Sequence, residues 1–380
     1  NTNGQFSDTN ANKLSVTLNV RTERGLDIVK RLIAKSDVVI ENFSSRVLSS
    51  WGLGYEVLRE LKEDIVYVSM SGYGHTGRNH TYKTFGPVAQ AVSGLTFQSG
   101  LPDQPPAGWG WSFLDDTGGL YGAMCAVTGI FRRNTTGLGQ HIDQSQMIMG
   151  VTLNGPALLD HTVNGRQSRR AGFPPGNRAV WPSTPTRDNY RGTRAVPHNA
   201  YRTSPGAYND WCVIVCADDD EWRKLVRVMG NPEWATQPEF ATHEGRLRRQ
   251  QDLDAHIEAW SSRHDKYALT EMCQSAGVRA MPVQSSADRV DNDPQLEHRG
   301  AYAPLAHPDL GTWKLQNAPF HMSSATATNH HPGPRIGEHT REVMEGVLGL
   351  DRRELAAGFE DGTFWPAERE LFDYQEAMLE

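Results

Sequence analysis

At 380 residues, 38% of them hydrophobic, the chain can bury a large core and is long enough for two lobes. A formal net charge of −7 argues against nucleic acid or an anionic membrane as the main partner, so an anionic ligand must be gripped by a local pocket. No stretch approaches the roughly 18 consecutive apolar residues of a membrane helix, and the opening "NTNGQFSDTNANK" is polar, without the apolar core of a secretory leader.

In chain order, "RGLDIVKRLIAK" sets Leu26, Val29, Leu32 and Ile33 on one helical face, and "DVVIENF" reads as a buried strand running into a loop. Helix then strand repeats: "YEVLRELKE" is a short amphipathic helix and "DIVYVSM" the next strand. Asp27 to Met70 therefore reads as αβαβ, the pattern of a parallel sheet. The second strand ends in "SGYGHTG", in which Gly72, Gly74 and Gly77 form a literal G-x-G-x-x-G. A dinucleotide turn would deliver its third glycine into a helix and place an acid about 20 residues on. Here the polar "RNHTYKTFGPVAQ" follows, and no acid lies between Gly77 and Asp103, so the match is weak and reads as a plain turn more readily than as a redox-nucleotide turn.

Thr117 to Phe131, within "AGWGWSFLDDTGGLYGAMCAVTGIFRR", is almost continuously apolar or small, which predicts a helix buried on most sides with Asp115 and Asp116 at its start. A carboxylate there interacts favourably with the helix dipole, by about 0.3–1 kcal/mol when exposed, and it also makes a good N-cap. From Arg169 to Thr203 the composition turns to Pro, Arg, Gly and Asn, which predicts a linker. "DWCVIVCA" then reads as a strand, and "DDEWRKLVRVMG", "LDAHIEAWSSR" and "KYALTEMCQSAG" as helices of a smaller α+β lobe. The domain plan is residues 1–168 as a large α/β lobe, 169–203 as linker, 204–290 as the small lobe, and 291–380 returning to the large lobe. Cys212 and Cys216 of "WCVIVCA" lack a second ligand pair at zinc-site spacing, so the four cysteines are expected to be reduced core thiols in a cytoplasmic protein without a metal.

The phrases "NKLSVTLNVRTERG", "SDVVIENF", "WGLGYEVLRE", "SGYGHTG", "VAQAVSGL", "TGLGQHIDQSQ", "AGVRAMPVQ", "DPQLEHRG" and "GEHTREVMEGVLGL" follow one another in an order that resembles the third family of CoA-transferases, the formyl-CoA and carnitine CoA-transferase type, over nearly the whole chain. The resemblance implies a Rossmann-like large lobe with a smaller α+β lobe, an interlocked homodimer or a heteromer with a related subunit, and CoA thioesters as substrates with no permanently bound cofactor. It further implies that a D-x-x-x-G-L aspartate, here Asp115 with Gly119 and Leu120, attacks an acyl-CoA to give a mixed anhydride and then an aspartyl-CoA thioester. A carboxylate suits that role, because it can form an anhydride and later be returned unchanged. Asp116 is then the neighbour. Amide donors for the developing oxyanion are expected from a turn containing Gly118 and Gly119.

Asn42 and Phe43 of "ENF" match a segment that contacts CoA, Lys83 of "YKTFGPVAQ" matches a lysine placed by the adenosine, and Lys13 is a further phosphate candidate. Gly72, Gly74 and Gly77 match an acyl-CoA loop. Trp109, Trp111 and Phe113 precede Asp115 and point to a larger, partly apolar acid; the glycine run of oxalate-specific members is missing from "RDNYRGTRAVPHNAY", so oxalate is not the expected acceptor. Two departures accompany the match. The family's opening βαβ segment, which carries part of the CoA pocket, is not in this sequence, and Ser50 replaces an arginine; an inactive partner subunit is therefore an alternative. The related α-methylacyl-CoA racemases pair the aspartate with a histidine base, but Phe85 stands where that histidine would fall, leaving only His75 or His80 to substitute.

Overall fold

The computed structural model describes residues 4–100, 104–110, 112–165 and 195–365. The chain divides into two compact units, one of Asn1–Thr96, Gly108–Gly155 and Pro294–Glu380, the other of Phe97–Ala107 and Pro156–Asp293.

The first unit is built on a parallel sheet of β1 (Val38–Glu41), β2 (Val66–Ser71) and β3 (Gln140–Ser145), with β2 in the middle and Val38, Val66 and Gln140 in register. Mixed α/β architecture with a parallel sheet is thus established. Val66, Tyr67, Val68 and Ser69 of β2 are all buried, as a central strand covered on both faces requires. β1, predicted to be buried, is instead an edge strand: Ile40 is exposed, and only Glu41 of the strand is buried. Helix Glu23–Lys35 begins at Thr22, whose hydroxyl accepts the Gly25 N–H at 3.0 Å. It serves two cores. Ile28 packs with Met344, Leu350, Leu355 and Phe364, while Ile33 packs with Leu53, Leu58, Ile65 and Tyr67, each buried side chain contributing about 1.5–3 kcal/mol.

Helix Phe113–Thr136 departs from expectation in an informative way. Its buried positions are Leu114, Gly118, Gly122 and Gly129, all on one face. The glycines let the helix backbone lie close over the sheet: a Cβ on Gly129 would sit 2.5 Å from Val66 Cγ1, and one on Gly122 would collide with Met70 Sδ. The other face carries Leu120, Met124, Val127 and Phe131 in the open, 62–71% exposed. The helix ends at Gly137, whose φ of 75° and N–H to the Arg133 carbonyl form a left-handed cap.

In the second unit an antiparallel sheet runs β4 (His198–Arg202), β5 (Trp211–Val215), β6 (Arg279–Pro282). Most of the predicted linker lies outside the described residues, but its end does not: His198–Arg202, placed in a linker from composition, is a strand paired with Trp211–Val215. Helices Asp219–Val228, Gln250–Ser261 and Lys266–Ser275 close Trp222, Leu225, Leu253, Ile257, Leu269 and Cys273 over that sheet. Lys266, 5% exposed, donates to the Asn209 and Val283 carbonyls, both at 3.2 Å, and to the Asp288 carboxylate at 2.8 Å, so this buried cation has a partner for each of its three protons. A hairpin of β7 (Tyr302–His307) and β8 (Gly311–Gln316) belongs to the first unit. Among the described residues no helix is long and apolar enough to cross a membrane.

Candidate active site

The C-terminal edge of a parallel sheet, where loops leave the strands, is the usual place for a ligand in an α/β fold. Here the loops after β1 and β2 and the starts of three helices, Gly86–Val92, Phe113–Thr136 and Gln146–Leu153, enclose a cavity of about 390 Å³. Asn42, Phe43, Ser71, Gly72, Phe85, Asp115, Gly118 and Gly119 line it, together with His80, Tyr82 and Gln146.

Asp115 sits in the first turn of helix Phe113–Thr136, yet Ser112 is the N-cap position and no side chain caps that end. The carboxylate instead takes one donor on each oxygen from two other segments. The Gly86 N–H donates to Oδ2 at 3.2 Å, and Gln146 Nε2 donates to Oδ1 at 2.7 Å. Gly86 is the first residue of its helix, so its amide has no partner within that helix and is available to an anion. A Cβ at Gly86 would lie 2.6 Å from Oδ2, so the backbone approaches the carboxylate more closely than any side-chain-bearing residue allows.

The loops are held from below by a buried polar network. Glu41 accepts the Phe43 N–H at 2.6 Å and the Tyr67 hydroxyl at 3.0 Å, and His75 Nε2 lies 3.5 Å from it. Burial, and then the Glu41 charge, push the Tyr67 phenol well above its ordinary range, so it remains a donor. The His75 N–H is shared by both Asp143 oxygens at 2.8 and 3.0 Å, pinning the glycine loop to β3. His141 stacks on Tyr67 with ring centroids 4.5 Å apart and pairs with the Ser69 hydroxyl at 2.8 Å; burial pushes its imidazole pKa down.

The structure divides the residues singled out from sequence. Asn42, Phe43, Gly72, Phe85, Asp115, Gly118 and Gly119 meet at one cavity. Gly74 and Gly77 do not line it; their φ values of 84° and 88° make them turn residues, whereas Gly72 is needed because a Cβ there would collide with Thr84. Gly118 and Gly119 are interior residues of a helix rather than turn donors, so their amides are committed to its ladder. Trp109 does not line the cavity: its indole N–H donates to the Leu95 carbonyl at 3.2 Å and its ring packs 4.9 Å from Phe113. Trp111 lies outside the described residues. Lys83 is exposed between Tyr82 and Thr84 of the cavity wall without lining it, and Lys13 bonds the Thr9 carbonyl and Asn10 near its own helix end. His75 is committed to the network, whereas His80 reaches the cavity, with Nδ1 2.9 Å from the Ser45 hydroxyl. Gly86, Gln146 and Glu41 were missed. Gly86 next to Pro87 reads as a helix breaker, although proline in a first turn is a start signal that could have found it.

The sequence matches the model of CoA-transferase family III over residues 1–340. It is 32% identical over 345 residues to succinyl-CoA–D-citramalate CoA-transferase of Chloroflexus aurantiacus, covering 91% of this chain and 81% of that protein. It is 31% identical over 353 residues to formyl-CoA:oxalate CoA-transferase of Streptomyces avermitilis, with 92% and 84% covered. Among solved structures, a CAIB/BAIF family protein from Brucella suis superposes with a TM-score of 0.78 at 27% identity, covering 90% of this chain and 83% of that one.

Proposed function

This chain belongs to CoA-transferase family III, and we propose that it moves CoA from an acyl-CoA donor to a carboxylic acid with Asp115 as the nucleophile. One observation carries the assignment of the residue: the Asp115 carboxylate faces the cavity with each oxygen held by a donor from another segment, instead of capping its own helix. An Asp115 oxygen attacks the thioester carbon, the C–S bond breaks, and CoA thiolate leaves a mixed anhydride. The thiolate then attacks Asp115 Cγ and expels the donor acid, giving an aspartyl-CoA thioester. The acceptor carboxylate attacks the same Cγ and expels the CoA thiolate, giving a second mixed anhydride; the thiolate then attacks the acceptor's acyl carbon, the anhydride C–O bond breaks, and Asp115 is returned as a carboxylate. CoA enters as substrate, and no resident cofactor takes part in these steps.

Asn42 and Phe43, positioned through Glu41, are the proposed CoA contacts, with Gly72 at the acyl end and Lys83 beside the wall for the adenosine moiety. Phe43, Tyr82 and Phe85 give the cavity an apolar wall suited to an acceptor larger than oxalate. The exposed stripe of Leu120, Met124, Val127 and Phe131, at spacings of three and four residues, supports burial of that helix face against a second copy of the chain.

A racemase on the same scaffold needs a base to exchange an α-proton, and Phe85 supplies none. The two chemistries separate in one tube holding deuterated water, a 2-methylacyl-CoA and a panel of acids that includes succinate. CoA exchange without deuterium uptake is expected; uptake that vanishes in His80→Ala overturns the transferase reading.

A further inference from the structure

Resting on the reading that Asp115 carries first the acyl group and then CoA, we propose that Gln146 is the donor that stabilises the oxyanion formed whenever the aspartyl carbonyl itself is attacked. Two kinds of carbonyl carbon react in such a cycle: the substrate's acyl carbon and Asp115 Cγ. Cγ is attacked twice, by the CoA thiolate on the anhydride and by the acceptor carboxylate on the thioester. Each time a C–S or C–O bond forms, the C=O electron pair moves onto the aspartyl oxygen, and it returns as the leaving group departs.

The geometry assigns that oxygen to Oδ1. Gln146 Nε2 is 2.7 Å away, and the same amide lies 3.5 Å from the Leu114 carbonyl. Oδ2 has the longer contact, 3.2 Å to the Gly86 N–H, and is the oxygen freer to bond to the acyl carbon. The glutamine is set in place. It opens helix Gln146–Leu153 directly after β3. The Ser145 hydroxyl caps that helix and donates to the Gly72 carbonyl at 3.2 Å, and the Met147 N–H meets the same carbonyl at 2.9 Å. Gly118 faces the amide; even a Cβ there would come within 3.4 Å of Nε2. A neutral amide suits the task better than a lysine or arginine. It holds the resting carboxylate without an ion pair, and its hydrogen bond strengthens as charge builds on the attacked carbonyl.

The test uses the full chain, succinyl-CoA as loading thioester and succinate as acceptor, with the covalent adduct followed by intact mass after rapid quenching. Gln146→Leu is expected to slow discharge of the CoA adduct by roughly 10²–10³-fold while succinyl-CoA binding is unchanged. Gln146→Glu keeps the side-chain length; its rate is expected to be low at neutral pH and to recover partly as pH falls, when a shared proton restores a donor to Oδ1. A glutamine with only a structural role gives no such recovery. Discharge within a few-fold of wild type in Gln146→Leu, or a flat pH profile in Gln146→Glu, overturns the inference. A wild type that turns over without ever loading at Asp115 refutes the underlying transferase mechanism instead.

Discussion

Replacing Gly86 by alanine adds one methyl group at the point where backbone and carboxylate meet. The new Cβ would lie 2.6 Å from Asp115 Oδ2 and 2.9 Å from Cγ, whereas ordinary contact begins at 3.4 Å. The carboxylate must therefore retreat by about 0.8 Å, and its hydrogen bond from the Gly86 N–H is lost. A displacement near 1 Å at a reacting group costs on the order of 10² in rate. Stability moves the other way. Gly86 is not among the glycines with positive φ, it opens a helix, and the atoms displaced are the mobile end of an exposed side chain, so alanine is expected to leave stability unchanged or raise it by up to about 1 kcal/mol. The assay pairs a CoA-transfer rate, at saturating acyl-CoA, with a thermal melt. A fall in kcat of about 10²-fold with an unchanged or higher Tm is the expected result. Wild-type kcat, or a loss of activity that tracks a loss of Tm, refutes the reasoning.

If a second copy covers the stripe on helix Phe113–Thr136, Leu120→Glu together with Val127→Glu shifts the sedimenting species to monomer; an unchanged mass removes that surface from the assembly. Gly129→Val forces a side chain into Val66 and is expected to cost about 1–3 kcal/mol in urea unfolding of the first unit. Lys266, and then the Ser285 N–H, hold the Asp288 carboxyl well below the ordinary carboxylate range. A depressed folded pKa means stability that is fully present above the unfolded value of about 3.9 and is lost as pH falls below it. Asp288→Asn is therefore expected to be less stable at neutral pH, with a shallower decline in stability below about pH 4 than wild type; parallel declines in urea melts rule out the pair as the source.

The parallel core of the first unit was legible because its signals are apolar and local: Leu26, Val29, Leu32 and Ile33 at helical spacing, of which Ile33 is buried and the other three pack against the two cores, then the buried run Val66 to Val68; Ile28, buried in the core with Met344, was not singled out. β3 was not read as a strand because "QHIDQS" carries its information in polar side chains. Gln144 and Ser145 are buried by bonding to the Gly118 and Gly72 carbonyls, and His141 stacks on Tyr67, contacts that exist only once separate segments meet. The helix over the sheet was legible as a helix but not in its orientation. Glycine, which weakens a helix locally, is what its buried face requires where Val66 and Met70 come close, and the leucine and phenylalanine side chains expected inside are outside. At the site, Asp115 was found through its motif, whereas Gly86 and Gln146 were not, since a backbone amide and a glutamine acquire a role only through their distance to the carboxylate, 29 and 31 residues away along the chain.

The transferase mechanism leaves an oxygen mark that no other route makes. When the acceptor carboxylate attacks the aspartyl-CoA thioester and the thiolate then removes its acyl group, one acceptor oxygen stays behind on Asp115. Turnover with an acyl-CoA and an acceptor acid labelled with oxygen-18 in its carboxylate, followed by mass mapping of the peptide containing Asp115 and Asp116, tests this directly. Heavy oxygen on Asp115, appearing only when both substrates are present, is the predicted result. Turnover that leaves Asp115 unlabelled, or that labels Asp116 in its place, contradicts the assignment.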